Sequence, residues 1–306
     1  MTDAPQDLGP MKHDPLPLAA LKALRPRQWA KNAFVYAALF FSFNFTVPEQ
    51  VLRASLGFLA FCLISSTGYV FNDLRDAEAD RLHPQKRKRP IASGAVSPGL
   101  AWGIMVACFV GGFGLALAVS PAFAAVALLY FVTTFSYTLI FKNFVILDIM
   151  LLAAGFLWRA VAGAVAIDVF ISPWLLLCTG FLALFIGFNK RRGELMLLED
   201  GAAKHRKNLS EYSPALLDEF QAITTSGTVI SYALYTVLAS PTPYLLATLP
   251  YVLYVIFRYI YLVQSGGDGG GDPSGTLTRD KPILVTGLLY VLTTILILVL
   301  AGPKIP

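Results

Sequence analysis

The sequence predicts an all-α protein, a polytopic membrane bundle of about nine transmembrane helices. Three observations carry that reading. The chain of 306 residues is 56% hydrophobic, with a mean hydropathy of +0.62. Only 14% of it is charged, against about a quarter in soluble domains. Its apolar residues fall in runs of about 17–25, the length a helix needs to cross a bilayer.

The elements follow in order. Residues 1–21 open with "MTDAPQDLGPMKHDPLPLAA", polar and rich in proline. They lack the basic start and apolar middle of a cleaved signal peptide, and a disordered tail is expected. Residues 22–306 are expected to form a single transmembrane catalytic domain. Its spans are placed at 31–47, 51–71, 100–119, 122–141, 144–166, 172–189, 222–240, 243–263 and 282–301. Several junctions carry proline, as in "SPAF" and "ASPTP". Cys62, Cys108 and Cys178 lie inside apolar runs without a CxxC pair, so packing is their expected role, with neither disulfide nor metal.

The charges sort to one side of this map. Twenty of the 24 Lys and Arg residues fall in the N-terminal tail and the loops after spans two, four, six and eight. The positive-inside rule places those connections in the cytoplasm and "AGPKIP" on the opposite face. With no organelle-targeting segment, a bacterial plasma membrane is the expected location. Topology alone accounts for two or three bases per loop. It leaves unexplained the ordered acids among them.

Those acids stand in "FNDLRDAEADRLHPQKRKRPIASG", residues 71–94. Asn72, Asp73, Asp76 and Asp80 are spaced by one, three and four and are expected on one helix face; Glu78 points elsewhere. Carboxylates stacked in this way repel one another unless a cation sits between them. Hard oxygen ligands suit magnesium, which is held by few carboxylates plus substrate phosphates. A solvated acidic helix end is the plain alternative, but ionised groups beside a bilayer are costly and usually functional. The bases in "QKRKRP" and "NKRRGEL" would then grip phosphate oxygens, Arg as a fork and Lys as a point charge.

"NDLRDAEAD" resembles the NDxxDxxxD signature of the UbiA-type intramembrane prenyltransferase superfamily, and nine spans with active-site loops on one face fit it. A narrower resemblance, to the decaprenyl-phosphate phosphoribosyltransferase branch, is carried by "LRPRQWAKN" (24–32), "NDLRDAEADRLHPQKRKRPIASG" (72–94), "YTLIFK" (137–142), "WRAVAGAVA" (158–166) and "NKRRGELMLLEDGAAKHRKNLSEYS" (189–213). The resemblance implies magnesium-dependent transfer of 5-phosphoribose from phosphoribosyl diphosphate to a polyprenyl phosphate, with diphosphate released. The alternative in the same superfamily moves a prenyl group from a prenyl diphosphate to an aromatic or other small acceptor. Such enzymes carry a second Asp-rich motif after span six. Here that loop offers Glu194, Glu199 and Asp200 among six bases, as expected for a donor with phosphate at both ends.

Carried onto this chain, the resemblance implies magnesium on Asn72, Asp73 and Asp76, with Asp80 completing the face. Lys86, Arg87, Lys88 and Arg89 are candidate phosphate clamps. Tyr137 and Lys142 match a tyrosine–lysine motif, and Lys142 is assigned to a phosphate oxygen. On the second loop Lys190 and Arg191 are assigned to phosphate, and Glu194 to metal or sugar. By their place before the first span, Arg25, Arg27 and Lys31 are read either as holding phosphate at the membrane surface or as serving topology alone. Arg159 is assigned to substrate. It lies eleven residues after Asp148, about 16 Å along a helix, so each is expected to meet a partner on another helix. An anionic acceptor needs no strong base, so His13, His83 and His205 need not be catalytic. The Gly-rich stretch 265–280, with Asp268 and Asp272, reads as a cover over the pocket or as a plain connection. Membrane lipids are the expected surroundings, and no nucleic-acid partner is expected. A transporter is the rival from another class, but it would place its charges at the midplane, not at one face.

Overall fold

The computed structural model describes residues 14–83, 86–197, 209–265, 275 and 279–301. All regular structure among them is helical. Among the described residues eight helices are long and apolar enough to cross a membrane. Helix α1 spans Leu16–Ala23, and α2 is the short helix Ala37–Phe41. Then come α3 (Pro48–Arg75), α4 (Ala77–Leu82), α5 (Pro98–Val119), α6 (Pro121–Leu139), α7 (Leu147–Ala166), α8 (Pro173–Leu197), α9 (Pro214–Leu234), α10 (Leu249–Gln264) and α11 (Lys281–Ala301).

The long helices start where local chemistry dictates. Proline is the first residue of α3, α5, α6, α8 and α9, a position where its missing N–H costs nothing and its fixed φ is already helical. Ser97, Ser120 and Ser213 stand just before α5, α6 and α9. Each accepts the third helical N–H on its hydroxyl, at 3.3, 3.0 and 3.2 Å, satisfying an otherwise orphaned donor. Helix α9 continues into a π-helical turn, Tyr235–Ala239, and α10 is preceded by a 3-10 stretch, Pro243–Thr248.

Two expectations at the N-terminus are corrected. Residues 16–21, expected in a disordered tail, belong to α1. Its buried Ala19 and Ala23 pack with Val70, Ile91, Val96 and Ala101, and that apolar contact gives the helix a reason to form. The expected span 31–47 is not one continuous α-helix. It comprises part of a 3-10 helix, Pro26–Tyr36, then α2 and the short 3-10 turn Asn44–Thr46. The 3-10 segment is tightly seated against α7, where a Cβ on Gly163 would overlap the carbonyl oxygen of Val35. Only glycine admits that approach.

In the bundle α3 lies along α5, α6 along α7, α7 along α8, α8 along α9, and α10 along α11. At the α3–α5 crossing a Cβ on Gly112 would stand 2.7 Å from Ile64 Cγ1, so small residues set the spacing. The main core joins the 3-10 segment, α3, α6 and α7 through Val35, Phe61, Ile64, Phe123, Tyr130 and Ala162. Those elements also surround the cavity described next. Cys62, Cys108 and Cys178 are buried and unbridged.

Candidate active site

A cavity of about 830 Å³ opens between the start of the 3-10 segment, the C-terminal end of α3, residues 86–89, the ends of α6 and the following turn, and the first half of α7. Among the described residues its wall carries six cations, Arg25, Lys31, Lys86, Arg89, Lys142 and Arg159, and a single carboxylate, Asp76. Asn72 and Tyr137 also line it. The structure thus brings together nine of the residues singled out in the sequence. Asp73, Asp80, Arg87, Lys190, Arg191 and Glu194 are not on this wall. Neither are Arg27, which is exposed, nor Lys88.

The four residues expected on one face divide into two pairs. Asn72 and Asp76 face the cavity, while Asp73 and Asp80 are 2% and 3% exposed. Helical geometry explains the split. Neighbours are about 100° apart, whereas steps of four and seven return near the same face, so 72 goes with 76 and 73 with 80. The α-helix also ends at Arg75, and α4 begins at Ala77. Arg89 Nη1 reaches both buried acids, at 3.0 Å from Asp73 Oδ1 and 2.6 Å from Asp80 Oδ2. Arg25 Nη2 reaches the same Asp73 oxygen at 2.5 Å. The buried acids therefore fix two of the three guanidinium groups that the cavity presents, those of Arg25 and Arg89.

Local backbone supports this arrangement. Arg25 has φ 53°, ψ 59°, a left-handed conformation uncommon for a residue with a side chain. Asp73 holds its guanidinium, which also lies 5.3 Å from the centroid of the Tyr69 ring. The segment carrying Arg89 is braced by Arg81 Nε donating to Ala92 O at 3.2 Å and Val96 N donating to Pro90 O at 2.9 Å. Arg75 Nη1 donates to Thr138 O at 3.0 Å, tying the end of α3 to the end of α6. Half-buried Arg87 keeps its Nε buried and without a partner among the described residues.

Deeper in the cavity Arg159 donates to Asn32 Oδ1 at 2.7 Å, Gly155 O at 2.8 Å and Tyr130 OH at 2.8 Å. It also stacks on Tyr130, 4.5 Å from the ring centroid. Asn32 is itself fully buried and joins the N-terminal segment to α7. The sequence expectation that Arg159 meets a partner on another element holds, and so does that for Asp148. Asp148 Oδ2 receives Arg191 at 2.9 and 3.0 Å, and Asp148 Oδ1 receives Tyr212 OH at 3.1 Å.

Lys190, Arg191 and Glu194, expected in the loop after the sixth span, lie instead on the last turns of α8, which runs on to Leu197, and enter through this network. Arg191, 2% exposed, binds Asp148 and, at 2.6 Å, Glu194; Lys190 Nζ lies 3.8 Å from Glu194. Arg191 is also within electrostatic reach of Tyr137 on the cavity wall. Burial, with the adjacent Asp148 carboxylate, pushes the Tyr212 hydroxyl up to about 12, so it remains a donor at neutral pH. Glu199, Asp200, Asp268 and Asp272 lie outside the described residues, as do His13 and His205.

Sequence reading passed over Ser65, Tyr69, Thr134, Thr138 and Asn143, all on the cavity wall. A signal was present. Ser65, Tyr69, Asn72 and Asp76 recur at steps of four, three and four, the spacing of one helix face. Thr134 and Thr138 flank Tyr137 in an otherwise apolar run.

No group of three His, Cys, Asp or Glu side chains among the described residues forms a ready cage for a metal ion. The donor set fits a different case, an ion that arrives with phosphate ligands. Asn72 and Asp76 offer oxygens to the cavity, and both ion pairs of Asp73 fall on Oδ1.

Fold and site together define a multi-pass membrane protein with a cation-rich polar cavity. Residues 32–270 match the UbiA prenyltransferase family, and the chain belongs to that family. It is 36% identical over 282 residues to the decaprenyl-phosphate phosphoribosyltransferase of Corynebacterium glutamicum, covering 89% of this chain and 84% of that one. It is 32% identical over 304 residues to the protein of the same name from Mycolicibacterium smegmatis, covering 94% of each. Among solved structures, a UbiA homolog from Archaeoglobus fulgidus bound to DMAPP and Mg2+ superposes with a TM-score of 0.71 at 20% identity, over 92% of this chain and 99% of that one. An apo UbiA homolog from Aeropyrum pernix K1 gives 0.64 at 18% identity, over 89% and 98%. The protein is therefore an enzyme that transfers a group within a membrane bundle.

Proposed function

We propose that the enzyme transfers 5-phosphoribose from 5-phosphoribosyl 1-diphosphate to a polyprenyl phosphate, at the cytoplasmic face of a bacterial plasma membrane. The observation that carries this reading is the charge of the cavity. Among the described residues six cations line the wall against Asp76, and with Asp73 and Asp80 paired to Arg25 and Arg89 they still outnumber the carboxylates by three, more than a single diphosphate head requires once its metal ion is counted. They suit a donor with phosphate at both ends meeting an acceptor that is itself an anion. The relatives named decaprenyl-phosphate phosphoribosyltransferase, at 32–36% identity over most of the chain, support the same reading.

In the reaction the anomeric carbon–oxygen bond to diphosphate breaks, and its electron pair leaves on the diphosphate. A new bond forms from that carbon to a phosphate oxygen of the lipid. No proton need move. Asn72 and Asp76, with Asp73 behind them, would hold magnesium, which supplies neutralisation of the departing diphosphate. Arg25 and Arg89, fixed by Asp73 and Asp80, orient the diphosphate through charge-assisted hydrogen bonds. Lys142 and Lys31 screen the two anionic reactants from each other. Lys190, Arg191 and Glu194 act from the C-terminal end of α8, and Arg87 from the first polar segment. Leu151, Leu152 and Phe156 give the apolar side of the cavity toward the isoprenoid chain.

The test incubates the purified protein with phosphoribosyl diphosphate labelled in the ribose and a polyprenyl phosphate, with and without magnesium. Magnesium-dependent label in the lipid phase supports the reading. Turnover only with a prenyl diphosphate and a small acceptor contradicts it.

A further inference from the structure

The turn just beyond Lys142 is held in an unfavourable shape. Ile146 has φ 69°, ψ −51°, and Leu147 N donates across it to Val145 O at 2.7 Å. A three-residue turn of this hand is rare and strained, and for a β-branched residue it is an outlier. Packing does not explain it, because Ile146 is 39% exposed. A hydrogen bond does. The backbone N–H of Ile146 donates to Tyr212 OH at 2.7 Å. The same hydroxyl donates to Asp148 Oδ1 at 3.1 Å, and Arg191 clamps the other carboxylate oxygen. Tyr212 is thus an acceptor on one side and a donor on the other, with its ring buried among Ile149, Phe188 and Leu217.

The path from this clamp to the cavity is short and stiff. Lys142 sits in the 3-10 turn Phe141–Asn143. Phe144 N donates to Phe141 O at 3.0 Å, and Asp148 N donates to Phe144 O at 3.0 Å. Val145 packs beside Tyr212 in the same apolar cluster. Relaxation of Ile146 to negative φ would therefore carry the 141–145 segment with it.

We propose that Tyr212 is a positioning residue for Lys142. It pins the strained Ile146 turn, and through it the second polar segment of the chain sets where the Lys142 ammonium meets phosphate. This rests on the reading above only in taking Lys142 as a phosphate contact.

The test measures binding of inorganic diphosphate with magnesium to the full-length protein in detergent, so that no choice of donor is built in. Lys142→Ala is expected to weaken binding about tenfold, the loss of one charge-assisted contact. Tyr212→Phe removes only the hydroxyl and is expected to weaken it about fivefold. Because the two act on one contact, the double variant should bind within about twofold of Lys142→Ala alone. Ile146→Gly, which accepts positive φ without strain, should restore most of the binding lost in Tyr212→Phe. A double variant whose loss is the product of the single losses overturns the proposal. So does binding indifferent to Lys142→Ala. Should Tyr212→Phe fail to fold, hydrogen exchange on the wild-type protein decides: a protected Ile146 amide supports the clamp, and an unprotected one overturns it. A wild-type protein that binds magnesium diphosphate but transfers no phosphoribose overturns the substrate assignment while leaving this cycle readable.

Discussion

Arg89 Nη1 lies 2.6 Å from Asp80 Oδ2, joining a guanidinium on the cavity wall to a carboxylate that does not face the cavity. Asp80 is 3% exposed, so its action on substrate runs through Arg89. Asp80→Asn keeps the shape and removes the charge. It is expected to raise KM for the phosphorylated donor about tenfold, the worth of one hydrogen bond to a charged group, with a smaller change in kcat. Steady-state kinetics with varied donor, beside a melting curve, check this. An unchanged KM in a folded variant contradicts it.

Arg159 serves three acceptors at once, Asn32, Gly155 and Tyr130. A lysine keeps the charge but lacks the planar fork. Arg159→Lys is expected to cost about 1–3 kcal/mol of stability through acceptors left without donors, read as a lower melting temperature in detergent. A melting temperature equal to that of wild type contradicts the account of this network.

Gly163 and Gly114 make a matched pair for packing. A Cβ on Gly163 meets the Val35 backbone, whereas one on Gly114 meets nothing within 4 Å. Gly163→Ala should destabilise by about 3 kcal/mol, and Gly114→Ala should stay within about 0.5 kcal/mol of wild type. Thermal unfolding of the two variants side by side tests this, and equal effects contradict it.

Asp280 caps α11, accepting from Ile283 N at 3.0 Å, and takes a hydrogen bond from Arg258 Nη2 at 2.9 Å. The Arg258 hydrogen bond, ahead of the opposing effect of desolvation, holds its carboxyl below the usual range. A depressed folded value stabilises above the unfolded value of about 3.9 and is lost as pH falls through the folded one. Asp280→Asn should therefore melt below wild type at neutral pH, with the gap closing as pH drops below about 4. A gap that does not narrow in acid contradicts this.

How much was legible in the sequence depended on the range of the interaction. The long helices were, because apolar runs and junction prolines are local signals; Pro98, Pro121 and Pro173 each begin a helix within two residues of the expected start. The cavity cations of the first polar segment were legible as charge that topology did not require. The 3-10 course of residues 26–36 was not, since it is set by contact with Gly163 on α7, more than a hundred residues away. Nor was the pairing of Asp73 and Asp80 with Arg89, although the helical step already separated them from Asn72 and Asp76. The clamp on Ile146 depends on Tyr212, 66 residues further along the chain, and only the folded arrangement shows it.

The most direct measurement of the central claim is a structure of the protein with magnesium and phosphoribosyl diphosphate. The account predicts the diphosphate against Asn72 and Asp76 with Arg25 and Arg89 on its oxygens, and the ribose 5-phosphate toward the remaining lysines of the same cavity. A donor bound elsewhere, with those side chains untouched, would contradict it.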